Sequence, residues 1–297
     1  MNLRKFVREF PIFGRFALSL YIFFKRGSSV RMFKPQVVLS NFWPNSDGKF
    51  SALTGLLLSS INKMPFYFDE LIGEITQGAP EKPKRIEQVL SGDFAVNSLK
   101  LRSLFQKYES DKHAHKYEEI YCRLFENFEA VTLVVEIGIG TNNERVVSHM
   151  GKKHQGSGGS LRAFRDFFPN ARVIGLDIDR EALFQEERIS TFFFDQNNST
   201  NQLRELGVED SSVDLFIDDG LHLFGANVKG LIHGLRYVKE GGWIAIEDLT
   251  DGALGAWRLI SIALNANGHE AHLIQAQGAY VLLVRKGPFL GETRQTS

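Results

Sequence analysis

Only one cysteine, Cys122, occurs in 297 residues. An internal disulfide is therefore excluded, and a reducing compartment such as the cytoplasm fits, with Cys122 as a small core residue on a helical pattern. Neither sign of charge is in excess, because 35 Lys and Arg face 35 Asp and Glu. A chain with no global positive field is not expected to bind DNA or RNA. Long apolar runs are lacking too. FALSLYIFF at 16–24 has nine residues, whereas a bilayer-spanning helix takes about 20. KRGSSVRMFK follows it and adds positive charge where a secretory signal would carry a small-residue cleavage site. Residues 1–34 hold eight Lys or Arg against Glu9 alone. We read residues 3–24 as an amphipathic helix that packs on the protein or lies on a membrane surface as a peripheral contact.

Residues 36–41 (QVVLSN) read as a short strand and 51–62 (SALTGLLLSSIN) as an apolar helix or a buried strand. GAPEKPKR at 78–85 has the composition of an exposed linker. The pattern becomes regular from about residue 95, which sets the expected boundary between a smaller α+β auxiliary domain (1–95), serving substrate, assembly or membrane contact, and a larger domain (96–297). Strands at 132–137, 171–177, 189–195, 213–218 and 242–247 alternate with helical segments such as 160–168, the rhythm of a doubly wound α/β sheet. AHLIQAQGAYVLLVRK near the end reads as two strands joined around Gln277 and Gly278, a hairpin that pairs antiparallel.

Four apolar runs end in acids: VVEIGIG (134–140), VIGLDID (173–179), LFIDDGLH (215–222) and WIAIEDL (243–249). Without polar alternation they predict strands covered on both faces, so their acids collect on the carboxyl edge, where open α/β sheets bind ligands. Gly138 and Gly140 allow a tight turn after the first strand, but Asn143 stands where the third glycine of G-x-G-x-x-G would be, so a pyrophosphate cradle is weakly supported. Glu136 beside them suits a cationic group. Asp177 ends the second strand one crossover later, where a carboxylate accepts from a ribose diol. Asp195 and Gln196 offer an acceptor and a donor to an adenine edge.

The next two strands are expected to be neighbours about 5 Å apart, with Asp218, Asp219, Glu247 and Asp248 at their ends. Carboxylates this close repel unless a positive charge lies between them, and a divalent cation is the simplest answer. An oxygen-rich set with one nearby histidine favours a hard ion such as Mg2+. Asp218 points to the opposite face by strand alternation and reads as structural. His222, three residues beyond Asp219, reaches the same cavity and can serve as a general base. His113 and His115 lie in a helical segment and are assigned only as substrate contacts.

Together these motifs resemble the class I methyltransferases that use S-adenosylmethionine, over roughly residues 100–285. ESDKHAHKYEEIY (109–121), GGSLR (158–162), FDQNN (194–198), IDDGLH (217–222) and IEDL (246–249) are similar to the metal-dependent sugar O-methyltransferases of macrolide antibiotic biosynthesis. The resemblance implies a doubly wound, mostly parallel, seven-stranded sheet closed by an antiparallel hairpin. It implies cofactor contacts from Ser110, Glu136, Gly138, Gly140, Ser160, Asp177, Asp195 and Gln196, metal ligation by Asp219, Glu247 and Asp248, and His222 as catalytic base. Methyl transfer to a hydroxyl of a small-molecule or glycan acceptor is the implied reaction, with Mg2+ present. The chain departs from the pattern in its long loop at 144–158 and in its first 95 residues, a region that could serve homo-oligomer assembly. Two alternatives stand beside this reading: an iron-dependent hydroxylase of the related natural-product subgroup, and a non-catalytic scaffold that binds a cofactor or glycan.

Overall fold

The computed structural model describes residues 50–147, 149–150, 156–196 and 202–288. The helix expected at 3–24, the strand at 36–41 and part of the 144–158 loop lie outside the described residues. The chain divides between Met64 and Pro65, upstream of the boundary expected near 95. Residues 65–95 join the larger unit through Ile72 and Ile86, both buried, and through Lys84. The Lys84 N–H donates to the Leu273 carbonyl at 2.8 Å and its carbonyl accepts from the Gln275 N–H at 2.8 Å, which makes a parallel bridge to Ile274. The charged 78–85 stretch is thus pinned at one end to a strand.

The helices are α1 (Phe50–Thr76), α2 (Ala95–Lys107), α3 (Glu118–Tyr121), α4 (Gly159–Phe167), α5 (Gln202–Glu205), α6 (Phe224–Tyr237) and α7 (Leu254–Ala266). The strands are β1 (Leu133–Ile137), β2 (Arg172–Asp177), β3 (Gln185–Glu186), β4 (Ile189–Phe193), β5 (Val213–Asp218), β6 (Val238–Leu249), β7 (Glu270–Gln275) and β8 (Tyr280–Arg285). They form one sheet in the order β3-β4-β2-β1-β5-β6-β8-β7. β1, β2, β4, β5 and β6 run parallel, while β8 is antiparallel to β6 and β7 to β8. The doubly wound expectation holds, with one strand more than the seven expected. The addition is the two-residue edge strand β3, paired antiparallel to β4 around a turn in which Arg188 takes φ 61°. That turn is anchored because the Arg188 guanidinium donates to the carbonyls of Arg165, Phe168 and Ala171. Among the described residues no helix is long and apolar enough to cross a membrane.

Both sheet faces are buried, as uninterrupted apolar strands require. Val134, Val173, Leu215, Trp243 and Ala245 pack on one side with Leu101, Phe105, Phe164 and Phe167 of α2 and α4. The alternate residues Val135, Ile174, Phe216, Ile244 and Ile246 pack on the other side with Leu231 and Tyr237 of α6 and Trp257 of α7. Register then decides where the acids go. Ile137 pairs with Asp218, and Asp218 with Ile246, so β1 and β5 end in step and β6 runs level with them to Ile246 before continuing to Leu249.

On the second face α6 carries His233, fully buried, edge-on to Phe194 and stacked near Tyr237. Neither ring nitrogen has a hydrogen-bond partner among the described residues. Burial, followed by the nearby Lys229 and Arg236 charges, pushes its pKa down to about 4. Between there and the unfolded value near 6.5 the unfolded chain binds the extra proton, so stability rises with pH across that window and is fully present above it. Acidifying from pH 7 to 4.5 is expected to remove roughly 2 to 3 kcal/mol through this residue. His233→Leu should flatten that part of the pH dependence in urea denaturation, and an unchanged slope would show that the loss arises elsewhere.

Candidate functional site

The carboxyl edge of β1, β2, β5 and β6 opens into a cleft lined by Ser110, Gly138, Gly140, Ser160, Asp177, Asp219, His222 and Asp248. A second recess shares Gly138, Asp177 and Gly220 with it and continues past Ile178, Phe194, Asp195 and Gln196. Gly138 is what lets the two strand ends meet. Its φ is 82° and a Cβ there would lie 2.0 Å from the Asp219 carbonyl oxygen, so the β1 turn packs directly on the β5 turn.

Asp177 is buried, with Oδ2 accepting from the Ile139 N–H at 3.0 Å and Oδ1 from the Asp179 N–H at 2.8 Å. The carboxylate is fixed against the glycine turn, and each oxygen keeps a second lone pair for a ligand. Thr141, which the sequence analysis did not single out, hydrogen-bonds Asp179 and helps hold this corner. Ser160, at the start of α4, donates to Glu136 Oε2 at 2.8 Å, so two expected cofactor residues lie together. Ser110 lies across from them. Helix α2 ends in a Schellman arrangement with Glu109 at φ 54°, the Ser110 N–H bonding the Phe105 carbonyl and the Glu109 N–H that of Gln106. α4 then packs so close that a Cβ on Gly159 would sit 2.5 Å from the Tyr108 carbonyl oxygen.

Gln196 differs from expectation. Its amide nitrogen donates to Asp218 Oδ2 at 2.7 Å and to the Ala226 carbonyl at 2.9 Å. Both amide hydrogens are committed to the scaffold, so Gln196 shapes the recess wall and has no donor left for an adenine edge. Asp218 is structural, as strand alternation predicts: it accepts from Gln196 and from the Gly220 N–H, and burial pushes its pKa up to about 8.

The acid cluster contains a residue that the charge argument overlooked. Lys112 is 1% exposed, and its ammonium lies 3.1 Å from Glu136 Oε1, 2.8 Å from Asp219 Oδ2 and in contact with Glu247 Oε2. Burial opposes its charge, but the carboxylates of Asp219, Glu247 and Glu136 prevail and hold its pKa well above the ordinary lysine value. The same burial pushes Glu247 well up and Glu136 to about 7. The other oxygen of Glu247 accepts from the Tyr121 hydroxyl. Glu247, expected as a metal ligand, thus accepts one contact on each oxygen, from Lys112 and from Tyr121, and each oxygen keeps a second lone pair.

Asp248 points into the cleft at a place where β6 breaks register with β8, between Ile246 and Leu249, and Asp248 takes φ 54°. A bulge of this kind re-aims one side chain without ending the strand. Asp248 Oδ1 accepts from the Tyr117 hydroxyl at 2.5 Å, while Oδ2 lies 3.8 Å from His222 Nε2. His222, also at positive φ (54°), is 3.8 Å from Asp219 Oδ1. One ligand atom each from Asp219, His222 and Asp248 fall within 4.8 Å of one another. This seat is half-buried, oxygen-rich and open to the cleft, which fits a hard divalent cation. Tyr117 and Tyr121 read from sequence as apolar helix positions. They are core residues whose hydroxyls orient the two acids. His113 and His115 instead face the backbone carbonyls of Ser110 and Gln277.

No family model matches the chain. Demethylmacrocin O-methyltransferase of Streptomyces fradiae is 35% identical over 157 residues, 52% of this chain and 36% of that protein. The 8-demethyl-8-alpha-L-rhamnosyl tetracenomycin-C 2'-O-methyltransferase of Streptomyces olivaceus is 30% identical over 167 residues, 55% of this chain and 41% of that protein. A solved structure of the MycE methyltransferase from the mycinamycin biosynthetic pathway, in complex with Mg and SAH, matches with a TM-score of 0.52 at 25% identity, covering 63% of this chain and 54% of that one. The fold is that of a class I methyltransferase. The resemblance to sugar O-methyltransferases expected from the motifs holds, and the chain spans less than half the length of the curated relatives it matches.

Within this methyltransferase fold the two tyrosines make unequal contributions. Tyr121→Phe leaves a fully buried Glu247 oxygen without its donor and is expected to lower stability by about 1 to 3 kcal/mol in chemical denaturation. Tyr117→Phe affects an Asp248 carboxylate that is 32% exposed to water, and its loss should be the smaller one. Equal losses would contradict this division.

Proposed function

We propose that the chain is an S-adenosylmethionine-dependent O-methyltransferase that acts on a sugar hydroxyl of a small-molecule or glycosylated acceptor, with a divalent cation, Mg2+ or a similar hard ion, at the acid seat. One observation carries this reading: the glycine turn with its ribose-side acid and the Asp219–His222–Asp248 group line the same cleft. A site for the cofactor and a site for a base and a cation are thereby side by side. The buried free thiol of Cys122 suits a cytoplasmic setting.

Gly138 and Gly140 give the cofactor close backbone approach, Asp177 accepts from its ribose, and Asp195 lies at the adenine end beside the Gln196 wall. Glu136, Ser160 and Ser110 form the end that receives the amino-acid portion. S-adenosylmethionine would supply the electrophilic methyl group, its S–CH3 bond breaking to leave the neutral thioether of S-adenosylhomocysteine, and a bound cation would acidify the acceptor hydroxyl. Asp219 and Asp248 hold the seat, and His222 Nε2 takes the hydroxyl proton as the acceptor oxygen receives the methyl. Alignment of acceptor and methyl by the cleft contributes much of the rate. Calorimetric titration with S-adenosylmethionine, with and without Mg2+, followed by a glycoside acceptor screen, tests the reading, and absence of cofactor binding in both conditions would reject it. His222→Ala is expected to keep cofactor affinity nearly unchanged while lowering methyl transfer by about two to four orders of magnitude. Full turnover in that variant would remove His222 from the chemistry.

A further inference from the structure

A general base is ordinarily aimed by a hydrogen bond on the ring nitrogen that does not take the proton. His222 lacks such a bond. Its Nδ1 is buried and has no partner among the described residues, and its Nε2 lies 3.8 Å from both Asp219 Oδ1 and Asp248 Oδ2, beyond hydrogen-bond reach. The aim of this imidazole therefore depends on its backbone. That backbone sits at φ 54°, a conformation that persists only where the surroundings enforce it.

One side chain meets the chain on both sides of His222. Gln196 Nε2 donates to the Ala226 carbonyl at 2.9 Å and to Asp218 Oδ2 at 2.7 Å, and its Oε1 accepts from the Leu221 N–H at 3.4 Å. Leu221 directly precedes His222 and Ala226 lies in the first turn of α6, so the amide spans the turn between them. A flipped amide would set Oε1 against two acceptor oxygens, which fixes its orientation. The parts are packed without slack. A Cβ on Gly220 would lie 2.6 Å from Gln196 Oε1, and one on Gly230 of α6 would lie 1.9 Å from Asp218 Oδ2. Gln196 is 7% exposed, and what is exposed belongs to the wall of the second recess.

We propose that Gln196 is a positioning residue for the base: by bridging Leu221, Ala226 and Asp218 it holds the 219–223 turn in the strained form that keeps His222 in the lining of the cleft. The inference rests on the role given to His222 above. Without these bonds the turn is free to relax, and a misplacement of about 1 Å at a reacting group costs about a hundredfold in rate.

The test is Gln196→Met in the full chain, which keeps the bulk and removes every hydrogen bond of the amide, read by NMR of the histidine side chains. The His222 ring signal is identified by its absence in His222→Ala, and that of His233, buried on the same helix, by its absence in His233→Leu. With no ligand added, the His222 signal is expected to move or split in Gln196→Met while the His233 signal stays. An unchanged His222 signal overturns the proposal. Equal movement of both signals also overturns it, because Gln196 would then be a general support of α6. On an acceptor from the glycoside screen, kcat should fall about ten- to a hundredfold with the cofactor KM within about threefold. A moved His222 signal with full turnover counts against the proposal. If Gln196→Met does not fold, Gln196→Glu takes its place: it keeps Oε1 for Leu221 but sets an acceptor against Asp218 and Ala226, and the same outcomes decide. Wild type that binds no S-adenosylhomocysteine in calorimetry rejects the cofactor reading, while the ligand-free NMR comparison still decides the link between Gln196 and His222.

Discussion

Desolvated negative charge at the ends of β1, β5 and β6 is the constraint to which the rest of the site answers. The strands are held in register because their apolar residues are fixed on both faces of the sheet, and a one-residue slip would turn every core side chain to the wrong side. That same register delivers Glu136, Asp219, Glu247 and Asp248 to one corner. Carboxylates so placed need counter-charge and donors. The chain supplies them from the 109–121 segment, which brings one lysine and two tyrosine hydroxyls to the cluster. This explains why a segment with little regular structure is so thoroughly buried. Lys112, Glu118, Tyr117 and Tyr121 are each at most 1% exposed.

Two strained backbone positions lie where the chemistry is proposed. His222 and Asp248 both sit at φ 54°, a conformation that costs a residue with a side chain about 1 kcal/mol or more. They face each other across the same few ångströms. A strand that continued regularly through Asp248 would send its side chain to the face opposite Glu247, and the bulge instead aims it at the cleft. The two neighbouring acids thus meet different partners: Glu247 the buried Lys112 and Tyr121, Asp248 Tyr117 and His222.

Much of the fold was legible because it is written in long, local signals. β1, β2 and β5 lie within a residue of where their apolar runs put them, and the terminal hairpin turns near Gln277 and Gly278. β3 was not legible, since two residues of edge pairing leave no periodic trace. Of the site, Gly138, Asp177, Asp219 and His222 were legible as polar punctuation at strand ends. Lys112 was not, although its string was noted, because nothing in composition distinguishes a buried lysine from a solvated one. Its burial depends on contacts more than 100 residues away in the chain. The turn of β6 at Asp248 was not legible for a related reason. A bulge changes side-chain direction without changing residue type.

The same geometry weighs against an iron-dependent hydroxylase on this scaffold. A facial triad for non-haem iron draws on two histidines and one carboxylate, whereas the open seat offers two carboxylates and His222. The two histidines that the sequence places nearby are turned elsewhere: His113 to the Ser110 carbonyl, and His115 to the Gln277 carbonyl, where it also stacks on Tyr117 at 5.4 Å. Recruiting either as a second nitrogen ligand would break the contacts that hold the 109–121 segment, and with it Lys112, in place. Oxygen ligands for a hard ion, with one imidazole beside them, are the arrangement this chain can present without rebuilding its core.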